Sequence, residues 1–380
     1  MRVVVLAAIM LTFILPEHAL AAWYMNTGNQ AEVWPYRQKI TISGASVEAT
    51  LANFPVLVEI KNISNPLFSK ARSNGWDILF TGSDGVTKLN HEIEYYNGAT
   101  GSLDAWVMVP TLVSTSDSFM YMYYGCSDAP SQENKNGTWD SNFTAVYHLN
   151  GTAALVGTTG EVVDSTSNNN GGRGMPAGTK PSVEATGKIN GAFYFPSGDV
   201  AGGAYIDLGN KASLQATNEV VVEAWAKPAD TTSYLGIAGK ISINALAGYA
   251  IWRFNTGSVF RGCFGNGTLI TVDDTVSSGT SWHYVVGVRR GGTDYLYVDG
   301  VSVGTPNARA ISDSGLPANI GRKYADFDDK YFKGTIDEVR FSNVGRSASW
   351  IKTCYRSQGF PDSFIRLSDE EHRPGAVMFD

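Results

Sequence analysis

The chain has 380 residues, long for one ordinary domain, so two domains are the starting expectation. Hydrophobic residues make up 43% and charged residues 17%, a balance that excludes a disordered, self-repelling chain. The formal net charge is −7 with no basic stripe to track phosphates, which excludes nucleic acid as a partner.

The first segment, "MRVVVLAAIMLTFILPEHALAAW", has one cation, Arg2, then an apolar run from Val3 to Leu15 that Pro16 breaks. Ala19-Leu20-Ala21 supplies a small-x-small step, so residues 1–22 read as a cleaved secretory signal. The run is shorter than the ~20 apolar residues of a spanning helix, and no second such stretch follows. The expected product is secreted, periplasmic or at the cell surface, with no membrane span after cleavage.

Beyond the signal, apolar residues alternate at period two in "YRQKITIS", "FPVLVEI", "WDILFTG", "HEIEYYN", "DAWVMVP" and "FMYMYYG", with Gly, Asn, Asp and Ser between the runs. This pattern predicts a small β-sandwich over residues 23–142. "DSTSNNNGGRGMPAGTKP" cannot form a core and reads as a surface loop. Strands then resume in "GAFYFPS", "AYIDLGN", "VVVEAWAKP", "GYAIWRFN", "WHYVVGVRRGG" and "YLYVDGVSVG". Asp299-Gly300 reads as a two-residue hairpin turn, because both positions must tolerate positive φ. Only "RSASWIKTCYRSQ" reads as helix, capped by Ser347, with Ala348, Ile351, Cys354 and Tyr355 on one face. The boundary falls in "GTWDSNFTAVYHLNG", which gives a second, larger sandwich over 143–369 and a loose tail over 370–380.

Three cysteines are present, Cys126, Cys263 and Cys354. An oxidising compartment admits one disulfide. Cys263 with Cys354 is the expected pair because both fall in the second half, although sequence does not settle the pairing. The absence of CxxC or His-rich spacing leaves zinc without support. Asp337 and Glu338 are neighbours in "GTIDEVRFSN", and neighbours on a strand point to opposite faces, so they read as structural. Glu92 and Glu94 are two apart and share a face. They suit either a general acid and base or the polar face of a half-exposed strand, the latter being the default. His148 and His283 lie singly in separate strands and read as packing residues, and no catalytic residue is assigned.

The run "VYHLNG…VVDSTSNNNGG…GKINGAFYFPS…AYIDLGN…VVVEAWAKP…WHYVVGVRRGG…YLYVDGVSVG…GTIDEVRFSNVGRSASWIKTCYRSQ", from about Tyr147 to Gln358, resembles the LamG-like jelly roll of the concanavalin A-like lectin/glucanase superfamily. "GWDILFTGSDGVTKLNHEIEYYNGATGSLDAWVMVP…FMYMYYG", within roughly Tyr36 to Asp140, resembles a bacterial domain of unknown function found in exported proteins. The departure there is Cys126, where that family more often has Asn. The resemblance implies an all-β chain, a small N-terminal sandwich followed by a concanavalin A-like jelly roll. It implies a non-enzymatic binding protein whose jelly roll recognises a carbohydrate. The alternatives are a structural or adhesive cell-surface protein with protein partners, and a glycoside hydrolase. Against the last, no glutamate begins the Glu-x-Asp-x-x-Glu motif of laminarinase-like relatives.

Relatives of this fold hold calcium near one rim, so Asp164 in "VVDSTSNNN", joined by Asp337, is the expected structural calcium site. An Asx-turn at Asp164 explains the same residues. A sugar site needs an aromatic platform beside hydrogen-bonding groups. Alternation points Val220, Val222, Ala224 and Ala226 into the core and leaves Trp225 outside. It places Trp252, Phe254, Leu296 and Val298 inside, and Tyr249, Arg253, Tyr295 and Tyr297 outside. Trp225, Tyr249, Arg253, Tyr295 and Tyr297 are therefore the candidate ligand-binding residues.

Overall fold

The strands read from period-two alternation build two antiparallel sandwiches in the computed structural model. It describes residues 22–374 apart from 27, 29–32, 176–178, 199, 216–217 and 328–329. The expected signal peptide lies outside the described residues except at its last position. No helix of the described residues is long and apolar enough to cross a membrane.

In the first sandwich a five-stranded sheet holds Tyr36–Ile42 between Ser118–Tyr124 and the last strand of the chain, Ile365–His372. A three-stranded sheet faces it, with Ser102–Leu112 between Leu51–Lys61 and His91–Asn97. Ile40, Ile42, Met120 and Met122 fill the space between, as their alternation requires. Leu51–Lys61 does not alternate, since Phe54 through Val58 are all buried. Its own sandwich covers one side, and on the other the ring of Trp350, from the helix Ala348–Gly359, lies 4.9 Å from Phe54.

The second sandwich is the jelly roll. An eight-stranded sheet contributes Val222, Ala224 and Ala226 to its core, and a seven-stranded sheet contributes Ile237, Tyr249, Ile251 and Phe264. Within the larger sheet, Lys333–Ser342 lies between Val220–Pro228 and Ala192–Pro196, and also pairs with Phe143–Tyr147. Asp299 and Gly300 take φ of 52° and 77°, the left-handed pair that a type I′ hairpin needs. Ser347 caps the long helix as expected, its hydroxyl accepting from the Trp350 N–H at 3.1 Å.

The structure corrects four expectations. The outer face of the eight-stranded sheet does not meet water. Val221, Trp225, Tyr284 and Tyr297 join Leu57, Trp106, Ile351 and Cys354 in one core shared by both sandwiches. The tail is not loose from residue 370, because Glu370, Glu371 and His372 pair with Tyr36–Ile42 and complete the first sheet. Glu370 also binds Lys70 and accepts from the Tyr124 hydroxyl at 2.7 Å, so the strand Ile365–His372 closes the first sandwich. The Gly/Asn-rich loop includes a short edge strand, Arg173–Met175, beside Tyr205–Gly209. Finally, Cys263 and Cys354 are free and buried. Cys263 packs with Ala250 and Trp252 outside the seven-stranded sheet, whereas Cys354 lies in the shared core outside the eight-stranded sheet. The whole jelly-roll core separates them, which rules out the disulfide.

Candidate functional site at the domain junction

Glu92 and Glu94 sit on His91–Asn97 of the first sandwich, where the ladder shifts register between Ile93 and Tyr95. His148 follows Phe143–Tyr147, and Glu338 lies on Lys333–Ser342 directly beside that strand. Against Val220–Pro228, Glu223 pairs with Arg340 and Trp225 with Asp337, so two residues, Glu338 and Val339, oppose Ala224 alone. Glu338 takes φ of 50° at this bulge, a left-handed conformation that costs a non-glycine residue about 1–3 kcal/mol. The bulge overturns the opposite-faces argument for Asp337 and Glu338. Both are fully buried, and both carboxylates act on Glu94.

His148 occupies the centre. Its Nδ1 lies 2.7 Å from Glu338 Oε1 and 3.3 Å from Glu94 Oε2, and its Nε2 lies 3.3 Å from Glu92 Oε2. Trp106 stacks on the imidazole at 5.9 Å and donates from Nε1 to Glu94 at 2.8 Å. Trp139 donates to Glu92 at 2.8 Å, as does the Ser165 hydroxyl, and the Lys135 ammonium sits 2.8 Å from the same carboxylate. Arg340 binds Glu338 and lies over the Trp106 ring at 4.4 Å. The Glu94 side chain is fully buried, and the partial exposure of that residue is confined to its backbone. The half-exposed polar face expected for Glu92 and Glu94 therefore does not exist.

Burial opposes ionisation of every acid here, and the neighbours decide which acids ionise. For Glu92, His148 and Lys135 outweigh burial and hold the carboxyl at about 2. For Glu338, burial is overcome by His148 and Arg340, which keep it below the usual carboxylate range. Burial and then Glu338 push Glu94 well above that range, and burial with Glu338 does the same to Asp337. Burial would depress His148, but Glu338, Glu94 and Glu92 raise it well above 6.5, which favours the imidazolium form.

Beside this network lies a cavity of about 190 Å³. Glu92, Glu94 and Lys135 line it from the first sandwich, and His148, Asn150 and Ser165 from the second, with Leu149, Val162 and Phe193 as its apolar wall.

The residues singled out from sequence as ligand-binding go elsewhere. Trp225 is buried under the helix, stacked on Tyr355 at 5.8 Å and donating to Gln358 at 2.8 Å. Tyr297 is buried in the same shared core. Tyr249 points into the jelly-roll core, where its hydroxyl donates to the Leu214 carbonyl at 2.8 Å. Arg253 is buried and donates to Ser278 Oγ and the Asp230 carbonyl. Tyr295 alone is half-exposed, with the Arg290 guanidinium 4.9 Å from its ring. The five do not form a platform, because the first sandwich covers one sheet face and the jelly-roll core claims Tyr249.

The expected calcium pair is not brought together either. Asp164 accepts from the N–H groups of Val146, Thr166 and Asn170 and from the Thr166 hydroxyl, an Asx-type loop brace. Asp337 accepts from the N–H groups of Lys188, Ile189 and Glu338. Both oxygens of each carboxylate thus already accept hydrogen bonds from the chain itself.

Residues 200–352 match the family model for the concanavalin A-like lectin/glucanases superfamily. Residues 74–154 match that of a domain of unknown function, a span that includes Glu92, Glu94, Lys135, His148 and Asn150. The chain therefore carries a domain of each kind, in the order the sequence motifs indicate. No curated protein matches it. Among solved structures it is similar to domain 4 of AbnA, a GH43 extracellular arabinanase from Geobacillus stearothermophilus, in complex with arabinotriose. That match has 19% identity and a TM-score of 0.43, over 56% of this chain and 97% of that one. It is also similar to the botulinum neurotoxin serotype D binding domain, with 13% identity and a TM-score of 0.43, over 60% of this chain and 53% of that one. A third is the binding domain of Paraclostridial Mosquitocidal Protein 1, with 12% identity and a TM-score of 0.41, over 54% and 52%. The chain thus spans about half the length of the last two.

Proposed function

We propose that this chain is an exported, non-enzymatic binding protein that takes a sugar unit of a glycan into the cavity between its two sandwiches. The observation that carries this reading is the cavity itself, polar on the sides supplied by both domains and apolar at Leu149 and Phe193. A pyranose has the same division, with CH faces for an apolar wall and hydroxyls for amide, carboxylate and ammonium groups. At about 190 Å³ the space is smaller than the ~300–1,000 Å³ of clefts for drug-sized ligands, which suits one ring of a longer chain.

A second reading, glycoside hydrolysis, has one observation in its favour: Glu92 and Glu94 border one cavity with ionisations pushed in opposite directions. Binding is preferred because both acids are engaged. Glu92 is held by Trp139, Ser165, Lys135 and His148, and Glu94 by Trp106, Asn150 and His148.

The test is a polysaccharide array with the mature chain, run once with calcium and once with EDTA, so that the calcium expectation is examined too. Binding that falls at least ~10-fold in Asn150→Ala and Lys135→Ala, but not in Tyr295→Ala, supports the cavity. Absence of binding in both buffers would sink the glycan reading and favour protein partners. Release of reducing sugar would favour hydrolysis.

A further inference from the structure

The three groups converging at the centre of the junction have the composition of a metal site. Glu94, His148 and Glu338 each present one ligating atom, and these atoms all lie within 4.8 Å of one another. We propose that Glu94, His148 and Glu338 hold a divalent transition-metal ion through His148 Nδ1 and one oxygen of each carboxylate.

The geometry supports this in three ways. With metal–ligand bonds of ~2.0–2.2 Å, the ligand-to-ligand edges of a tetrahedral zinc site are roughly 3.3–3.6 Å. The edge from Nδ1 to Glu94 Oε2 is already 3.3 Å, and the one from Nδ1 to Glu338 Oε1, at 2.7 Å, opens by roughly half an ångström once the shared proton leaves. Second, Nδ1 carries at most one proton, yet carboxylate oxygens from two different strands face it, and a cation satisfies both together.

Third, the surroundings are those of a ligand set. The far nitrogen of His148 faces Glu92, the carboxylate that orients a ligating imidazole, while Trp106 holds Glu94 and Arg340 holds Glu338. Glu94 and His148 border the cavity, so a fourth position opens onto space for water or a ligand oxygen. One imidazole with two carboxylates suits zinc, manganese or iron(II) better than calcium, which takes six to eight oxygens. This site shares no residue with Asp164 and Asp337, and it stands whether or not a glycan binds.

The experiment uses the chain stripped with EDTA, dialysed, and given zinc or cobalt(II) chloride. About one zinc per chain should survive gel filtration, and cobalt(II) should give the visible absorption of a low-coordinate site. His148→Ala removes buried ion pairs and can unfold the junction, so Glu94→Gln is the deciding variant: it keeps the size and shape of the side chain while replacing the ligating carboxylate with a neutral amide. Folded Glu94→Gln, checked by circular dichroism, should retain less than about a tenth of the zinc, whereas Asp164→Asn should retain all of it. Zinc that fails to stay with the wild-type chain, or stays equally with Glu94→Gln, overturns the proposal and leaves a proton as the occupant.

Discussion

Replacing His148 by alanine, with EDTA present so that no metal contributes, tests whether the junction network holds the two sandwiches together. The imidazolium is nearly buried and touches three carboxylates, two of them with fully buried side chains. Removing one partner of a buried ion pair costs about 3–5 kcal/mol, because the remaining charge stays desolvated. Glu338 keeps Arg340 and Glu92 keeps Lys135, which argues for the lower end of that range. Lost contacts with Trp106 and Trp139 add about 0.5–1.5 kcal/mol each. The expected total is thus roughly 4–6 kcal/mol. It is read from urea unfolding followed by tryptophan fluorescence, with Trp106 and Trp139 as local reporters. A double-mutant cycle with Glu338→Gln should return a coupling of at least ~1 kcal/mol. A destabilisation below ~1 kcal/mol, or a coupling within about 0.5 kcal/mol of zero, would refute the claim that His148 is the electrostatic centre.

Stability should depend on pH from both sides. Glu92 and Glu338 have lowered folded-state values, so their contribution is present above about 4.5 and is lost as pH falls through their folded values, which for Glu92 is about 2. His148 has a raised value, so its contribution is complete below about 6.5 and is lost as pH rises through its folded value. Melting temperature against pH should therefore peak between these limits, and a flat alkaline limb would contradict the assignment of His148 as an imidazolium. Trp225→Ala should destabilise by about 3–5 kcal/mol in denaturant, as for a core ring, and not act as the loss of a ligand contact. A change under ~1 kcal/mol would restore the surface reading. Truncation after Gly359 removes Phe364 and the strand Ile365–His372, so residues 36–124 should become protease-sensitive while the jelly roll resists. Equal resistance of both parts would show the last strand to be dispensable.

The fold was far more legible in the sequence than the site. Strands, the Asp299-Gly300 turn and the Ser347 cap rest on local rules of period, φ and hydrogen bonding, and the structure has them. The face assignments held within the jelly-roll core for Val222, Ala224, Ala226, Leu296 and Val298. They failed for Tyr249 and Trp252 because the strand Ala247–Phe254 is buried on both sides, so apolar alternation does not tell which face is the inner one. Glu92 and Glu94 were visible as a same-face pair, but nothing in one sequence ties them to His148, 56 residues beyond Glu92, or to Glu338, 190 residues beyond His148.

By itself the sequence determined an all-β chain of two units in a stated order, because alternation and turn chemistry act over a few residues. It also limited any site to five histidines, since composition bounds what a fold can assemble. Only the tertiary structure decided which carboxylates meet. A bulge at Glu338 breaks the period-two rule, and the packing of one sandwich on the other turns exposed-looking faces into core. The return of the last strand to the first sheet was equally hidden, because strand pairing across the whole chain depends on which edge remains open after everything else has packed.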